Sequence, residues 1–187
     1  MRDVRDWFSV MEDDRIGWFA VRTMYRNDMS VGHYLEARGA EVFIPMHYVD
    51  VKRGGVVKRE LEPVVRNIVF VRTCRSLLDR AKEELESKWA IRLFMNRETR
   101  EPIIIPEEQM RSFIAVAGTY DDQLLFLGIE EVDYKVGDRV RIIAGPFRGA
   151  QGRLLRVKGH KRLVVEVESV MAVATTYMPP QMVEKIG

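Results

Sequence analysis

Hydrophobic and polar residues alternate along several short stretches of the chain, and a period of two predicts β-strands. Stretches that alternate in this way, or that are rich in apolar, aromatic and β-branched residues, lie at 17–23, 41–51, 56–62, 67–72, 93–95 and 103–105, and again at 140–142, 154–155, 163–167, 170–173 and 182–186. Between the earlier stretches, apolar residues spaced i, i+3 and i+4 predict three helices. The chain therefore mixes strands with helices in its first part and carries only strands in its last part.

Glycine, proline and small polar residues mark where these elements begin and end. Asn27 or Asp28 caps the first predicted helix, and Gly39 stands where a left-handed C-cap is wanted. Pro106 suits the first position of the third helix, which Gly118 ends. These residues fix the predicted boundaries of two helices.

The second predicted helix opens at Ser76, with Asp79 three residues on as a weak capping box. Glu84 and Lys88 have the spacing of an i, i+4 ion pair on its exposed face. Its apolar stripe is Leu77, Leu78, Ala81, Leu85 and Trp89. The pattern predicts an amphipathic helix with one buried face.

Two turn and strand signals organise the sheet. Gly54-Gly55 lies between two alternating stretches and predicts a hairpin. The unbroken apolar run Ile68–Val71 predicts a strand in the middle of the sheet, with Pro63 in the turn before it.

The order of elements predicts an α+β fold with two domains. Residues 17–118 form a mostly antiparallel sheet covered by helices, after a polar N-terminal extension at 1–16. Residues 135–187 form a small SH3-like five-stranded barrel, and 119–134 link the two. Because Leu124–Leu127 is too apolar for a free linker, we expect it to dock on one of the domains.

The most specific motif is a glycine-rich turn between two strands of the predicted barrel. Its residues are Gly137, Asp138, Gly145, Pro146, Phe147, Gly149 and Gly152. Gly145 is free to take positive φ, whereas Pro146 fixes its own φ. This arrangement resembles the KOW motif of small five-stranded barrels in NusG transcription factors and in some ribosomal proteins. Another SH3-like barrel with glycine-rich turns is the open alternative.

The first predicted domain resembles the N-terminal domain of the NusG family, strand by strand. The matching segments are Trp18–Val21, Tyr25–Asp28, Pro45–Met46, Glu62–Pro63, Arg66–Val71, Ile103–Glu107 and, at the end of the barrel, Met182–Ile186. Asn67 takes the place of a family glycine, and Asn visits the left-handed region readily. The departures from the common pattern resemble the specialised paralogues, of which the operon-specific antiterminators of capsular polysaccharide clusters (UpxY-like) are the first candidates.

This resemblance implies a transcription elongation or antitermination factor. The first domain would bind RNA polymerase, and the KOW domain would recruit a further partner such as a ribosomal protein or a termination factor. The alternative is a ribosome- or RNA-binding KOW protein with no role at the polymerase. Some specialised relatives hold the KOW domain as a helical hairpin, but the Val-rich segment 163–173 favours strands, so we predict a β-barrel here.

Family members bind the clamp helices of the polymerase through an apolar patch. The matching positions are Val65, Phe70, Leu93 and Phe94, with Arg22 at the border. An exposed apolar patch indicates a partner. The alternative for Phe70 is a place in the core, and the alternative for Arg22 is a solvated strand end.

Four basic residues flank the predicted hairpin turn, namely Lys52, Arg53, Lys58 and Arg59. Positive charge concentrated there could meet phosphates of the upstream or non-template DNA in the elongation complex. Charge at a hairpin end also prevents edge pairing between sheets, so a structural role stays open. A second basic turn, Lys158–Arg162, could touch RNA or a ribosomal protein, or be a solvated turn.

Composition narrows the functional classes. Lys and Arg total 30 against 28 Asp and Glu, a formal charge of +2, so we expect any nucleic-acid contact to be local. Cys74 is the only cysteine, which excludes an intramolecular disulfide and a thiolate-based zinc site within one chain. His33, His47 and His160 match no metal or catalytic motif. We therefore predict no enzyme activity, metal or cofactor.

The N-terminal stretch, MRDVRDWFSVMEDDR, is interrupted by charge every few residues. It has neither the apolar core of a signal peptide nor the length of apolar residues that a membrane span needs. From this pattern we expect a cytoplasmic protein without a membrane partner, and we also expect a monomer.

Overall fold

The computed structural model describes residues 15–128, 137–167 and 169–186. Its strands are β1 (Gly17–Thr23), β2 (Glu41–Phe43), β3 (Met46–Arg53), β4 (Val56–Pro63), β5 (Ile68–Thr73), β6 (Ile91–Leu93), β7 (Ile104–Ile105), β8 (Leu125–Leu127), β9 (Asp138–Ile142), β10 (Gln151–Val157), β11 (His160–Val167), β12 (Met171–Tyr177) and β13 (Val183–Lys185). Its helices are α1 (Asp28–Glu36), α2 (Arg75–Trp89) and α3 (Glu107–Ala117), with a 3-10 turn at Pro180–Met182. The predicted α+β class is confirmed.

The elements divide into two compact units, which do not follow the chain linearly. The first unit takes the described parts of 1–44 and 66–105, and the second takes 45–65 with the described parts of 106–187. The hairpin β3–β4 and helix α3 therefore belong to the same unit as the strands β9–β13. The linear boundaries at 118 and 135 stay a prediction.

The first unit is an antiparallel sheet with the strand order β2–β5–β1–β6, and β7 pairs with the end of β1. The predicted inner position of β5 is confirmed. One face of the sheet packs on α1 and α2. The buried residues of this core are Phe19, Val21, Val31, Leu35, Ala40, Val69, Val71, Leu78, Ala81, Leu85 and Ile91.

The opposite face of this sheet follows from the register of β1 with its neighbours. Arg22 lies opposite Ile68 on one side and Arg92 on the other. Ala20 pairs with Phe70. Because side chains alternate along a strand, these residues point away from the core formed with α1 and α2.

The second unit contains an antiparallel sheet in the order β13–β9–β10–β11–β12–β8, together with the two-stranded hairpin β3–β4. The predicted KOW strands are present, and segment 163–173 is strand on both sides of a turn at Ser169. The predicted docking of Leu124–Leu127 is also confirmed, because β8 pairs with β12. Leu127 joins a core with Leu155 and Val164.

Helix α3 packs against β10, β11 and β12. Its buried side chains include Met110 and Phe113, as its predicted apolar face requires. Ser112 is also buried, and its Oγ accepts a hydrogen bond of 3.1 Å from the backbone N–H of Gln151. A satisfied polar contact thus lies inside the packing of α3 on the sheet.

The predicted strand 41–51 is two strands. β2 pairs with β5, whereas β3 pairs with β4, and the break falls at Pro45. Proline has no N–H to donate to a strand ladder, which explains the break. Pro63 is the last residue of β4 and pairs with Met46. It therefore lies in a strand and not in the predicted turn.

The predicted hairpin of 93–95 with 103–105 is only partly correct. β6 and β7 both pair with β1. The segment between them closes through a bridge from Met95 to Pro102 and a hydrogen bond of 2.9 Å from Ile103 N–H to the carbonyl of Phe94. β6 and β7 therefore both pair with β1, a pairing that the local turn signal did not predict.

Two helix termini also differ in detail from the prediction. α2 begins at Arg75 with Cys74 as its N-cap, so Ser76 lies inside the helix, and Asp79 binds the Arg75 side chain at 2.8 Å. Asn27 is the N-cap of α1 but makes no side-chain cap bond. Gly39 has the predicted positive φ, 86°.

Candidate functional site

Arg22 and Phe94 form the clearest contact among the predicted polymerase-binding residues. The Arg22 guanidinium lies 5.0 Å from the centroid of the Phe94 ring. Arg22 is exposed and Phe94 is half-buried. The backbone N–H of Phe94 donates to the carbonyl of Ala20 at 3.0 Å, which fixes Phe94 beside β1. The pair presents a cationic and an aromatic group on one surface.

Leu93 lies on the other side of the sheet from Arg22. It pairs with Val21 across β1 and β6, and it packs against the core that α1 and α2 cover. The structure therefore does not bring Leu93 and Arg22 to one face, because neighbouring residues of a strand point in opposite directions. Leu93 is half-buried.

Phe70 is fully buried, with 0% of its surface exposed. A direct contact with a partner through Phe70 would require that this side chain become exposed. Val65 is half-buried and belongs to the second unit, between β4 and β5. Of the five predicted residues, Arg22 and Phe94 are brought together by a described contact.

The basic hairpin forms as predicted, with Gly54 and Gly55 at φ of 58° and 83°. Two consecutive positive φ values are those of the tight turn that suits two twisted strands. The register places Arg53 opposite Val56 and Lys52 opposite Val57. A two-residue turn joins the strands directly, so this register could be read from the sequence.

The four basic residues divide between the two faces of the hairpin. Alternation puts Arg53 and Lys58 on one face and Lys52 and Arg59 on the other. All four side chains are exposed. The hairpin therefore offers two pairs of cations rather than a single cluster of four.

Both arginines of the hairpin make ion pairs within the second unit. Arg53 binds Glu60 at 3.3 Å across the hairpin. Arg59 binds Asp122 in the segment before β8, and its guanidinium lies 4.5 Å from the centroid of the Tyr48 ring. Tyr48 in turn contacts Tyr120 edge to face, with ring centroids 6.2 Å apart.

Sequence reasoning missed Tyr48, Tyr120 and Asp122 as neighbours of the basic hairpin. The hairpin register could have placed Tyr48 on the face of Arg59, two residues beyond its partner Asp50. No sequence signal could have placed Asp122 there, because it lies 63 residues from Arg59.

Three glycines of the KOW motif have the positive φ that glycine adopts readily, and for Gly145 the sequence predicted it. Gly137, Gly145 and Gly149 have φ of 93°, 85° and 91°. Gly152 is required for a different reason, since a Cβ there would lie 2.3 Å from the carbonyl oxygen of Val164 in β11. Phe147 is buried, whereas the other motif residues are exposed or half-buried. The motif thus shapes the β9–β10 turn and lets β10 approach β11.

Two further predicted features of the barrel are Asp138 of the KOW motif and the second basic turn, Lys158–Arg162. The Asp138 carboxylate pairs with Lys185 at 3.0 Å, joining β9 to β13. Lys158 and Gly159 form the β10–β11 turn with φ of 48° and 82°. The Arg162 guanidinium donates to the carbonyl of Thr175 at 2.6 Å, so it is held in the sheet rather than solvated.

Two absences concern only the described ranges. Between residues 15 and 186, apart from the gaps, no group of three or more His, Cys, Asp or Glu could hold a metal ion. Within the same ranges, no helix has the length and apolar character to cross a membrane.

Comparison with known proteins gives matches over both parts of the chain. The family model described as "Transcription termination factor nusG" matches residues 17–114, and the KOW motif model matches residues 136–168. A solved structure concerning domain interaction in NusG of Thermotoga maritima aligns with 92% of this chain and 98% of its own. It has 20% identity and a TM-score of 0.44. No curated protein sequence matches significantly.

The first match alone spans more than half of the 187 residues, and the second covers the motif whose glycines have the conformations given above. The chain therefore belongs to the NusG family and carries the N-terminal and KOW domains of its transcription factors.

Proposed function

We propose that this protein is a transcription elongation or antitermination factor that binds RNA polymerase through its NusG N-terminal domain and recruits a further partner through its KOW domain. The observation that carries the proposal is the presence of both family domains in order, at 17–114 and 136–168. A KOW motif alone would serve a ribosomal protein equally well. The N-terminal domain is what favours the polymerase.

The polymerase contact is assigned first to Arg22 and Phe94. Their side chains are in contact on one face of the first sheet, where the ring is half-buried and the guanidinium is exposed. Aromatic and arginine side chains are those most enriched among residues that dominate binding energy at interfaces. Leu93 packs on the other face of this sheet and Val65 belongs to the second unit, so neither is assigned to this contact.

The hairpin is assigned a contact with nucleic acid of the elongation complex. The exposed cations of β3 and β4 lie on both sides of the Gly54-Gly55 turn. Phosphate contacts need positive charge but no specific base readout. For the KOW domain, a ribosomal protein or a termination factor stays the proposed partner class, and no metal, cofactor or catalytic step is assigned to the chain.

The polymerase contact can be tested with the full-length protein and purified RNA polymerase core. The double change Arg22→Ala with Phe94→Ala should weaken binding by about tenfold or more, because loss of an interface anchor typically costs over about 1 kcal/mol. Biolayer interferometry measures the affinity. Tyr177→Ala is the matched control, since Tyr177 is 52% exposed on β12 and carries no assigned contact.

Equal affinities of the double variant and the control would remove Arg22 and Phe94 from the interface. Failure of the unaltered protein to bind polymerase, with sedimentation on ribosomes instead, would favour the alternative of a ribosome- or RNA-binding KOW protein. The proposal of a specialised capsule-locus antiterminator would gain support from activity restricted to one operon in a termination read-through assay.

A further inference from the structure

A cavity of about 290 Å³ lies between α3 and the strands β9, β10 and β11 of the second unit. Its volume is near the lower end of the range for ligand pockets, roughly 300–1,000 Å³, which suits one small molecule rather than a polymer. Polar side chains from all four elements line it, among them Glu108, Ser112, Arg139, Gln151, Arg153 and Glu166. Polar groups that converge on a cavity are typical of a binding site.

Two arginines stand side by side on the cavity lining. Arg139 of β9 and Arg153 of β10 are direct partners in the antiparallel register. Directly opposed side chains lie on one face of a sheet, with Cβ atoms about 4.5–5.5 Å apart, so two like charges there repel each other. An anion shared between the two guanidinium groups would remove this repulsion and form charge-assisted hydrogen bonds. The pair therefore has the geometry of an anion-binding site.

Neither arginine is neutralised by a carboxylate within the part of the chain that the structure describes. By contrast, Arg141 of β9 pairs with Glu184 at 3.3 Å. The Arg153 guanidinium donates to the carbonyl of Gly137 at 3.0 Å, a bond that orients the group without cancelling its charge. Because a guanidinium has five N–H donors, Arg153 keeps donors for a ligand.

The helix and the strands that form the cavity are fixed to each other. The backbone N–H of Gln151 in β10 donates to Oγ of Ser112 in α3 at 3.1 Å, and Ser112 is 5% exposed. On the same helix, Met110 and Phe113 are buried. The spacing of the cavity walls is thus set before a ligand binds, which lowers the entropic cost of binding.

Carboxylates supply the negative charge of the lining. Glu108 lies in the first turn of α3 and is exposed, and Glu166 lies on β11. Carboxylates repel a phosphate, but they accept hydrogen bonds from the exocyclic amino groups of nucleobases. A ligand that carries both a phosphate and a base with an amino group satisfies the two kinds of charge in one cavity.

We propose that this cavity binds a nucleoside monophosphate, whose phosphate lies between Arg139 and Arg153 and whose base donates an N–H to Glu108. A phosphate monoester carries a charge of about −1.5 to −2 at pH 7, which two guanidinium groups match better than they match a single carboxylate. Arg153 is half-buried, so solvent screens its attraction to an anion less than at a fully exposed site. The site uses none of the residues assigned to polymerase or to the hairpin contact, and it does not depend on the proposed function.

The test is isothermal titration calorimetry of the full-length protein with AMP, GMP and CMP at low salt. Adenosine, which lacks the phosphate, and ribose 5-phosphate, which lacks the base, are the comparison ligands, and both should bind at least about tenfold more weakly than AMP. Arg139→Gln should weaken AMP binding by about ten- to a hundredfold, the range expected for losing a charge-assisted hydrogen bond. Glu108→Ala should reduce the advantage of AMP over ribose 5-phosphate.

Thermal unfolding without ligand gives the second readout. Because Arg139→Gln removes one of two opposed like charges, it should preserve or raise the melting temperature while it weakens nucleotide binding. A loss of affinity caused by misfolding would lower the melting temperature instead. Arg148→Gln, which removes an exposed arginine from the β9–β10 turn outside the cavity, is the matched control and should bind AMP like the unaltered protein.

Equal AMP affinities of Arg139→Gln and Arg148→Gln would overturn the proposal, as would the absence of binding of all three nucleotides at about 1 mM. Adenosine binding as tightly as AMP would contradict the role of the arginine pair, and ribose 5-phosphate binding as tightly as AMP would contradict the base contact at Glu108. If the chain binds AMP in this way but does not bind RNA polymerase, the site stands and the proposed function is wrong.

Discussion

At the scale of single residues, the backbone conformation at Asn67 explains why an asparagine can stand there. Asn67 takes the place of a glycine in the NusG sequence pattern that this segment resembles, and its φ of 71° shows that the position is left-handed. Asn also supplies a side-chain oxygen for the N–H of Arg26, a contact that glycine could not make. The exchange thus keeps the required conformation and adds support for the neighbouring turn.

Glu84 shows how tertiary contacts replace a local pair. The predicted partner Lys88 lies over the Trp89 ring at 4.2 Å. Glu84 instead accepts hydrogen bonds from the Tyr34 hydroxyl and from Arg38, the latter at 3.0 Å, and so joins α2 to α1. The bond from Tyr34 and then the Arg38 charge hold the pKa of Glu84 below its usual 4.5. Burial and the bond to Glu84 raise the pKa of Tyr34 above 10.0.

We expect Glu84→Gln to change the acid dependence of stability. A lowered folded-state pKa means that the contribution of Glu84 is fully present above its unfolded pKa, near 4.5, and is lost as the pH falls through the lower folded value. The stability difference between the unaltered protein and the variant should be constant above about pH 5 and shrink below pH 4.5. Urea unfolding across a pH series measures it.

Glu83→Gln, one position earlier on α2, is the control for this experiment, and it should leave the acid dependence unchanged. A stability difference for Glu84→Gln that stays constant down to about pH 2 would show that the Tyr34 and Arg38 contacts do not favour the ionised carboxylate.

At the scale of elements, ion pairs within the second unit reduce the number of unengaged cations on the hairpin β3–β4. Two of its four cations are engaged in exposed ion pairs, Arg53 with Glu60 and Arg59 with Asp122. Exposed pairs of this kind are weak, at about 0–1 kcal/mol. Phosphates could therefore displace Glu60 and Asp122, although the carboxylates compete for the same guanidinium groups.

We expect Lys52→Ser with Lys58→Ser to reduce the salt dependence of binding to a nucleic-acid scaffold. The log–log slope should fall by about 0.9 for each phosphate that a lysine no longer neutralises, so by about two for the double variant. Asp122→Asn should instead raise the affinity for the nucleic-acid scaffold by a few fold, because Arg59 loses its ion-pair partner and is available to a phosphate. Fluorescence anisotropy between about 50 and 200 mM salt measures both.

The matched control for the hairpin is Lys82→Ser with Lys88→Ser, which also removes two positive charges, from exposed positions of α2. An unchanged slope for the lysine variant would leave the hairpin with only its structural role of avoiding edge pairing.

At the scale of the whole molecule, the apolar run Leu124–Leu127 contributes a strand to the sheet of the second unit. β8 adds a further strand beside β12, and Leu127, 5% exposed, packs with Leu155 and Val164. Because this strand is short and lies at the edge of the sheet, its docking depends on a few side chains.

Leu127→Ala should lower the free energy of unfolding by roughly 2 kcal/mol, the low end for this change, because an edge strand can detach instead of leaving a full cavity. The half-buried Leu125 gives the control, and Leu125→Ala should cost less. Denaturant unfolding and limited proteolysis near β8 measure the two effects. If both variants are as stable as the unaltered protein, β8 adds little to the stability of the second unit.

The sequence by itself determined the features that depend on near neighbours along the chain. Alternation predicted β1 and β5, the Gly54-Gly55 pair predicted the hairpin, and the spaced glycines predicted the β9–β10 turn. These predictions succeed because strand period and φ preference are properties of a few consecutive residues. The same local reasoning gave the family, whose motifs are short ordered patterns.

Only the tertiary structure decided which distant segments meet. The pairing of β8 with β12, the ion pair of Arg59 with Asp122, and the separation of Leu93 from Arg22 on opposite faces depend on contacts between residues far apart in sequence. The same holds for α3, which packs on β10–β12 within the second unit. Such contacts are selected by packing and burial over the whole unit, which no local pattern of residues encodes.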